Sequence, residues 1–141
     1  MKYPLERPAR VLALALLSAS PAFSQEFQTP SGNIFCAFEA IEGHALPELR
    51  CDMKSHVAQA EALRPADCQL EWGGAFTLGT TGPAARLCRG DTVADPSYPQ
   101  LGYGSTITAH GITCAIAEAA LTCTNAEGSG FSLSRRVQRL F

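Results

Sequence analysis

Positive charge is scarce in this chain and forms no basic stripe. Charged residues make up 17% of the 141 residues, and the formal net charge is −2. One cluster of arginines, Arg135, Arg136 and Arg139, lies near the end of the chain, where it is typical of a solvated last turn. Binding to nucleic acid needs positive side chains that neutralise phosphates. We therefore expect no nucleic-acid partner.

Sequence motifs that carry chemistry are also missing. The chain has no Gly-x-Ser-x-Gly nucleophile elbow, no Asp-rich calcium loop and no Asn-x-Ser/Thr sequon. Its three histidines, His44, His56 and His110, lack the i, i+2 or i, i+4 spacing that places two ring nitrogens on one metal. We therefore expect no metal, no cofactor and no catalytic residue that a motif would identify.

A spare thiol is missing as well, because the number of cysteines is even and no Cys-x-x-Cys occurs. The six cysteines are Cys36, Cys51, Cys68, Cys88, Cys114 and Cys123. An even number of cysteines behind an export signal is typical of a disulfide framework formed in an oxidising compartment. We interpret all six as structural, which leaves no free thiolate for nucleophilic catalysis.

Two of the cysteine pairs fit directly opposed positions of β-hairpins. Opposed residues at non-hydrogen-bonded sites of an antiparallel pair bring their Cα atoms close enough for a disulfide. Pairing Cys114 with Cys123 leaves a two-residue loop at 118–119, which has neither glycine nor asparagine. Pairing Cys36 with Cys51 fits a longer hairpin.

The third pair, Cys68 with Cys88, is what remains once the other two form. It fits less well, because a turn at 80–83 would oppose Cys88 to a residue near Gly73. Cys68 must therefore curl back at the start of its strand. The Gly73-Gly74 pair in that strand indicates a bulge or a close approach of backbone.

The start of the chain is typical of a secretory signal peptide. Three residues make it basic, Lys2, Arg7 and Arg10. The apolar run over 11–19 is about half the roughly 20 residues that span a bilayer, and small residues precede a cut between Ser24 and Gln25. We expect a signal peptide over 1–24 and a single disulfide-stabilised β domain over 25–141. That product is periplasmic or secreted and keeps no membrane anchor.

The remaining chain alternates apolar and polar residues with a period of two, which predicts antiparallel strands with one buried face. Gly and Pro turns separate these segments. One segment looks helical: Ser55 is a suitable cap, alanines follow, and Pro65 ends the run at Arg64. The predicted fold is all-β, a small antiparallel sandwich or open barrel of disulfide-linked hairpins with one short helix.

Six short segments together resemble a family of small exported bacterial proteins of unknown function. They are TPSGNI at 29–34 with Cys36, RCD at 50–52, PADC at 65–68, CRGDT at 88–92, YG at 103–104 and GFSLSR at 130–135. The resemblance implies secretion and a shared fold, and it implies no activity. Family members often carry histidine where this chain has Ser129, so a role for that histidine would not transfer.

The leading hypothesis is a non-catalytic binding or inhibitory module whose partner is an envelope or extracellular protein or glycan. A cross-linked β-scaffold presents loops at low ordering cost. The candidate surfaces are the 41–47 loop with His44 and the 93–104 segment with Tyr98 and Tyr103. Alternatively, the second segment is a covering loop that buries both rings against the sheet.

Two further hypotheses remain open. The first is a small envelope hydrolase that uses Asp52, Asp91 and His110 as acid and base groups, which requires them to meet in one cleft. The second is a purely structural envelope component. Arg89-Gly90-Asp91 also spells a tripeptide that adhesion receptors bind, but a turn around Asp91 explains it more simply.

Overall fold

The computed structural model describes residues 25–141, and the predicted signal peptide lies outside them. These residues form ten strands and no helix, so they hold no helix that could cross a bilayer. The strands are β1 Phe27–Gln28, β2 Ile34–Glu39, β3 Glu48–Met53, β4 Ala75–Leu78, β5 Ala85–Arg86, β6 Thr106–Ala109, β7 Ile112–Ile116, β8 Leu121–Asn125, β9 Gly130–Leu133 and β10 Gln138–Leu140.

The strands form two antiparallel sheets of five strands each. The first sheet has the order β1-β2-β3-β4-β5, and the second has the order β10-β9-β8-β7-β6. Each strand pairs with its neighbour in sequence, and neither sheet closes into a barrel. The predicted all-β fold is confirmed, as a sandwich of hairpins.

One hydrophobic core draws on both sheets. The largest buried side chains of the first sheet include Phe76 and Leu49, and those of the second include Phe131 and Ile116. The rings of Phe76 and Phe131 lie with their centroids 5.9 Å apart and join the two sheets. Alternation is clearest in β7, where every second residue is buried. The alternation of apolar and polar residues in the sequence therefore identifies the buried face of a strand.

The three disulfides are the three pairs that the sequence predicts. Cys36–Cys51 and Cys114–Cys123 join directly opposed residues, with Cα atoms 4.1 and 4.0 Å apart. Cys68–Cys88 lies beyond the regular ladder, with a Cα separation of 5.8 Å. There Glu71 and Arg89 exchange two backbone hydrogen bonds as an isolated bridge, which brings the chain at Cys68 back toward Cys88.

The short helix predicted over 55–64 is absent, and this part of the prediction is wrong. The segment is irregular and attached to both sheets: the Ser55 N–H donates to Asn33 Oδ1, and the Val57 N–H donates to the Arg135 carbonyl. Alanine propensity favours a helix by only tenths of a kcal/mol per residue, and so short a helix is marginal in water. Tertiary hydrogen bonds therefore decide its conformation.

A histidine in this segment packs against a pair of glycines. A Cβ atom added at Gly74 would lie 2.9 Å from His56 Cε1, and one added at Gly73 would lie 3.1 Å from His56 Nε2. The close approach predicted for these glycines is thus made by an imidazole. Burial lowers the pKa of His56, and the positive charge of Arg89 lowers it further, while Glu71 raises it.

This environment predicts a pH dependence of stability. With its folded-state pKa below the ordinary value of about 6.5, His56 takes up its proton more readily in the unfolded chain. The free energy of unfolding should therefore fall as the pH drops below about 6.5. Urea unfolding at a series of pH values should show a flatter profile for His56→Gln than for the parent protein. The control His44→Gln removes an exposed histidine and should keep the parent slope, and an unchanged slope in His56→Gln would contradict the assignment.

Candidate functional site

Two grooves open at opposite ends of the first sheet. The first groove, of about 240 Å³, lies where β2 begins, and the second groove, of about 330 Å³, lies at the turn between β2 and β3. The second sheet contributes to the first groove through the β7–β8 turn at 117–120 and through the residues that follow β9. The first groove therefore lies where the ends of the two sheets part.

The floor of the first groove is apolar and rigid. Ile34 begins β2, while Leu121 begins β8 and stands directly opposite Leu133 of β9. All three side chains are buried members of the shared core. The floor is thus fixed by the same packing that stabilises the fold.

The rim of the first groove is polar. The Thr29 and Ser31 hydroxyls lie 3.1 Å apart, and they also accept from the N–H groups of Ile34 and Asn33, respectively. Asn33 holds the rim in place, because its side chain accepts from the Ser55 N–H at 2.9 Å and donates to the Ser55 carbonyl at 3.0 Å. Ser134 completes this side. The rim offers hydroxyl groups on backbone that is tied down.

An aromatic ring and a guanidinium also line the first groove. Tyr103 is 48% exposed, and the Gly104 that follows it has a positive φ of 88° and donates its N–H to the Ile116 carbonyl. Arg135 is exposed, and its side chain forms no ion pair with any residue in the described part of the chain. Its backbone is fixed, since its carbonyl accepts from Val57 and Gln138.

The β7–β8 turn adds one carboxylate and several backbone groups. Glu118 is exposed and lines the groove. Within residues 25–141, the N–H groups of Glu118, Ala119 and Ala120 donate to no backbone carbonyl, although the Ala117 N–H donates to the Ala120 carbonyl. The first groove thus offers one cation, one anion and three unused N–H donors.

A separate group of charged residues, the charge cluster, lies on the outer face of the first sheet. It comprises Arg50, Asp52, Arg89 and Asp91. Arg50 Nε lies 3.0 Å from Asp52 Oδ1 and Arg50 Nη2 lies 3.0 Å from Asp91 Oδ1, while Arg89 Nη1 lies 3.0 Å from Asp52 Oδ2. Asp52 is 1% exposed. Its carboxylate also accepts from the Thr92 hydroxyl and the Val93 N–H.

The electrostatics of the charge cluster are those of a satisfied structural network. Burial alone lowers the pKa of Arg50, but hydrogen bonds to Asp52 and Asp91 outweigh it, and the pKa is raised overall. The same hydrogen bond from Arg50 lowers the pKa of Asp91. Both shifts favour the charged forms of Arg50 and Asp91. The cluster fixes the 91–101 segment across the sheet, where Tyr98 packs near Phe35 with ring centroids 6.5 Å apart.

One protein-family model matches nearly the whole of this chain. Residues 9–141 match the model of DUF6636, a family of unknown function. The chain belongs to the DUF6636 family. No curated protein and no solved structure matches it.

Five of the six segments that resemble such a family fall into two places in this DUF6636 chain. The segments at 29–34, 103–104 and 130–135 all contribute to the first groove. Those at 50–52 and 88–92 supply the charge cluster. Three of these segments therefore help to bound an opening, and two help to fix a covering segment.

The three residues of the hydrolase hypothesis do not meet in one cleft. Asp52 and Asp91 both contact Arg50, on the outer face of the first sheet. His110 lies in the tight turn between β6 and β7 with φ of 49°, and its ring packs near Phe38 on the core side of β2. Asp52 is also occupied by four donor residues. The arrangement gives these residues no shared substrate position.

The predicted binding residues lie in three different environments. His44 is exposed and lines the second groove, Tyr98 is half-buried in the covering segment, and Tyr103 is exposed in the first groove. The alternative in which the 93–104 segment covers the sheet and buries its rings therefore fits Tyr98, which is half-buried, and does not fit Tyr103. Within residues 25–141, no group of three or more His, Cys, Asp or Glu side chains could hold a metal ion.

Sequence reasoning missed Arg135 as a groove residue and treated it as part of a solvated last turn. Its groove neighbours come from positions 29–34, 103 and 117–121, which are distant in sequence. A pattern of neighbouring residues in the sequence cannot predict a groove formed by such distant segments. Its place in the GFSLSR segment was the one available indication.

Proposed function

We propose that this DUF6636 protein is a non-catalytic binding module of the periplasm or cell surroundings, and that its ligand enters the first groove. One observation carries the proposal: an exposed ring, Tyr103, and a guanidinium that forms no ion pair within residues 25–141, that of Arg135, line one opening with an apolar floor. An amphipathic aromatic and an arginine are the residue types that dominate binding energy at interfaces.

The framework around the groove supports recognition with little reorganisation. The floor consists of core residues, and the rim is held by Asn33 and by the Gly104 turn. A site that is already ordered loses little entropy on binding. Its volume of about 240 Å³ is below the roughly 300–1,000 Å³ of pockets for drug-sized ligands. The groove therefore suits a short segment or the end of a larger molecule.

The second groove has less support despite its larger volume. It is lined by residues 44–48 and 79–81, which supply no Phe, Tyr or Trp and no Lys or Arg. The three disulfides are consistent with a periplasmic or extracellular protein. The hydrolase alternative has no comparable support, because His110 lies apart from Asp52 and Asp91, and both carboxylates are bound to arginines.

Binding can be tested by NMR with a panel of defined probes on the isotopically labelled, oxidised protein. The panel comprises chitotriose, maltotriose, tri-galacturonate, and acidic, basic and apolar tripeptides. We expect at least one probe to shift the amide signals of residues 117–121 and Tyr103. Tyr103→Ala should weaken that binding by at least about tenfold, as loss of a central aromatic does at a binding site.

Leu46→Ala is the matched control, because Leu46 is about equally exposed and lines the second groove. It should leave binding unchanged. Shifts confined to residues 44–48, or equal affinity of the parent and Tyr103→Ala, would assign the site elsewhere. A panel in which no probe moves any groove signal would argue against a binding function for this groove.

A further inference from the structure

We propose that the ligand of the first groove is an acidic oligosaccharide, with a sugar carboxylate bound by Arg135 and a neighbouring sugar ring packed against Tyr103. This inference rests on the proposed function and names its ligand class. It follows from the placement of one cation, one aromatic ring and a hydroxyl-rich rim in a single groove.

Arg135 supplies the anion-binding end. Its guanidinium has no ion-pair partner within residues 25–141, and among the residues that line the first groove Arg135 is the one Lys or Arg. A planar guanidinium matches a carboxylate in a bidentate geometry. The adjoining turn adds the unused N–H groups of residues 118–120. Both sets of donors therefore belong to residues that line the same groove.

The arrangement of apolar and polar groups in the rest of the groove matches that of a sugar ring. A pyranose ring has apolar C–H faces and a rim of hydroxyl groups. Here the floor is formed by Ile34, Leu121 and Leu133, and hydroxyls of Thr29, Ser31 and Ser134 lie around it. Hydroxyls both donate and accept, as sugar hydroxyls require. These hydroxyls already form hydrogen bonds with each other and with the backbone of Asn33, Ile34 and Val137, so the polar rim is ordered before a sugar binds.

The dimensions favour more than one sugar ring. Tyr103 precedes β6 and Arg135 follows β9, with β7 and β8 between those strands. Three inter-strand spacings correspond to roughly 14 Å between their backbones. A ligand that contacts both side chains must therefore extend along the ends of these strands. The ring at Tyr103 and the carboxylate at Arg135 therefore belong to neighbouring units.

Glu118 allows the sign of the ligand's charge to be tested. It is a carboxylate on the same groove, and like charges disfavour each other in proportion to their proximity. Its removal should strengthen binding of an anion, whereas removal of Arg135 should weaken it. A cationic ligand would reverse both effects. Opposite effects of the two substitutions would reveal the charge of the ligand, whereas a general loss of structure would weaken binding in both variants.

The experiment titrates the oxidised, labelled protein with three probes at low ionic strength. They are tri-galacturonate, its fully methyl-esterified form, and glucose 6-phosphate. We expect tri-galacturonate to shift the signals of residues 117–121 and to bind at least about tenfold more tightly than the ester. Arg135→Gln should remove that preference, and Glu118→Gln should raise affinity for tri-galacturonate. Glucose 6-phosphate should bind more weakly, because it brings an anion without a second ring.

Arg139→Gln is the matched control, since it removes the same charge from β10 outside the groove lining. It should retain the preference for tri-galacturonate. Equal binding of acid and ester, or an equal effect of Arg139→Gln and Arg135→Gln, would overturn the proposal. If tri-galacturonate fails while a neutral sugar or a tripeptide shifts the groove signals, the ligand class is wrong and the binding function stands. Tighter binding of glucose 6-phosphate would replace the sugar acid with a phosphate ligand.

Discussion

Replacement of Asp52 by alanine is expected to lower the free energy of unfolding by about 3–5 kcal/mol. Asp52 is 1% exposed, and its carboxylate accepts from two arginines, one hydroxyl and one backbone N–H. Without it, the 5% exposed Arg50 side chain loses its principal counter-ion. A buried charge left without compensation is among the most destabilising changes in a protein.

The matched control for this prediction is Asp91→Ala. Asp91 contacts the same Arg50 guanidinium at 3.0 Å, but its side chain is 79% exposed. An ion pair with a solvated partner contributes little, so this variant should retain nearly all of the parent stability. Urea unfolding of the oxidised proteins measures both. Equal losses for the two variants would show that burial of Asp52 does not set its contribution.

The strands and the disulfides could be predicted because their signals are local. Alternation in Ile112, Cys114 and Ile116 marks an inward face, and opposed cysteines then mark the register of the hairpin. Because the cysteines belong to the alternating pattern, the same residues indicate the strand, its buried face and its pairing partner. Even the less regular Cys68–Cys88 pair was fixed by elimination.

The parts that sequence reasoning missed depend on contacts between distant residues. The 55–64 segment has helical propensity, but Asn33 and Arg135 bind its backbone and override that weak preference. Asp52 is a plausible acid or base in the sequence, and the approach of the 89–93 segment, together with Arg50, makes it a structural anion. The first groove likewise combines residues 29–34 with Arg135. Such sites follow from topology, which a single sequence does not display.

The second large effect is expected for the double variant Cys36→Ala/Cys51→Ala. The disulfide closes a loop of 15 residues, which contributes roughly 3 kcal/mol in the chain-entropy model. Both cysteines are also fully buried in the shared core, so their truncation removes packing between β2 and β3. We therefore expect a loss of about 3–5 kcal/mol in the free energy of unfolding, measured with urea.

The variant Cys68→Ala/Cys88→Ala separates the two contributions. Its disulfide closes a longer loop of 20 residues, so chain entropy alone predicts a slightly larger loss than for Cys36–Cys51. Cys88 is only half-buried, however, and neither cysteine belongs to the core cluster. Packing therefore predicts the opposite order, with the Cys36/Cys51 variant the less stable of the two. If the Cys68/Cys88 variant loses as much stability or more, the disulfides stabilise this fold through the unfolded chain and not through the core they cross.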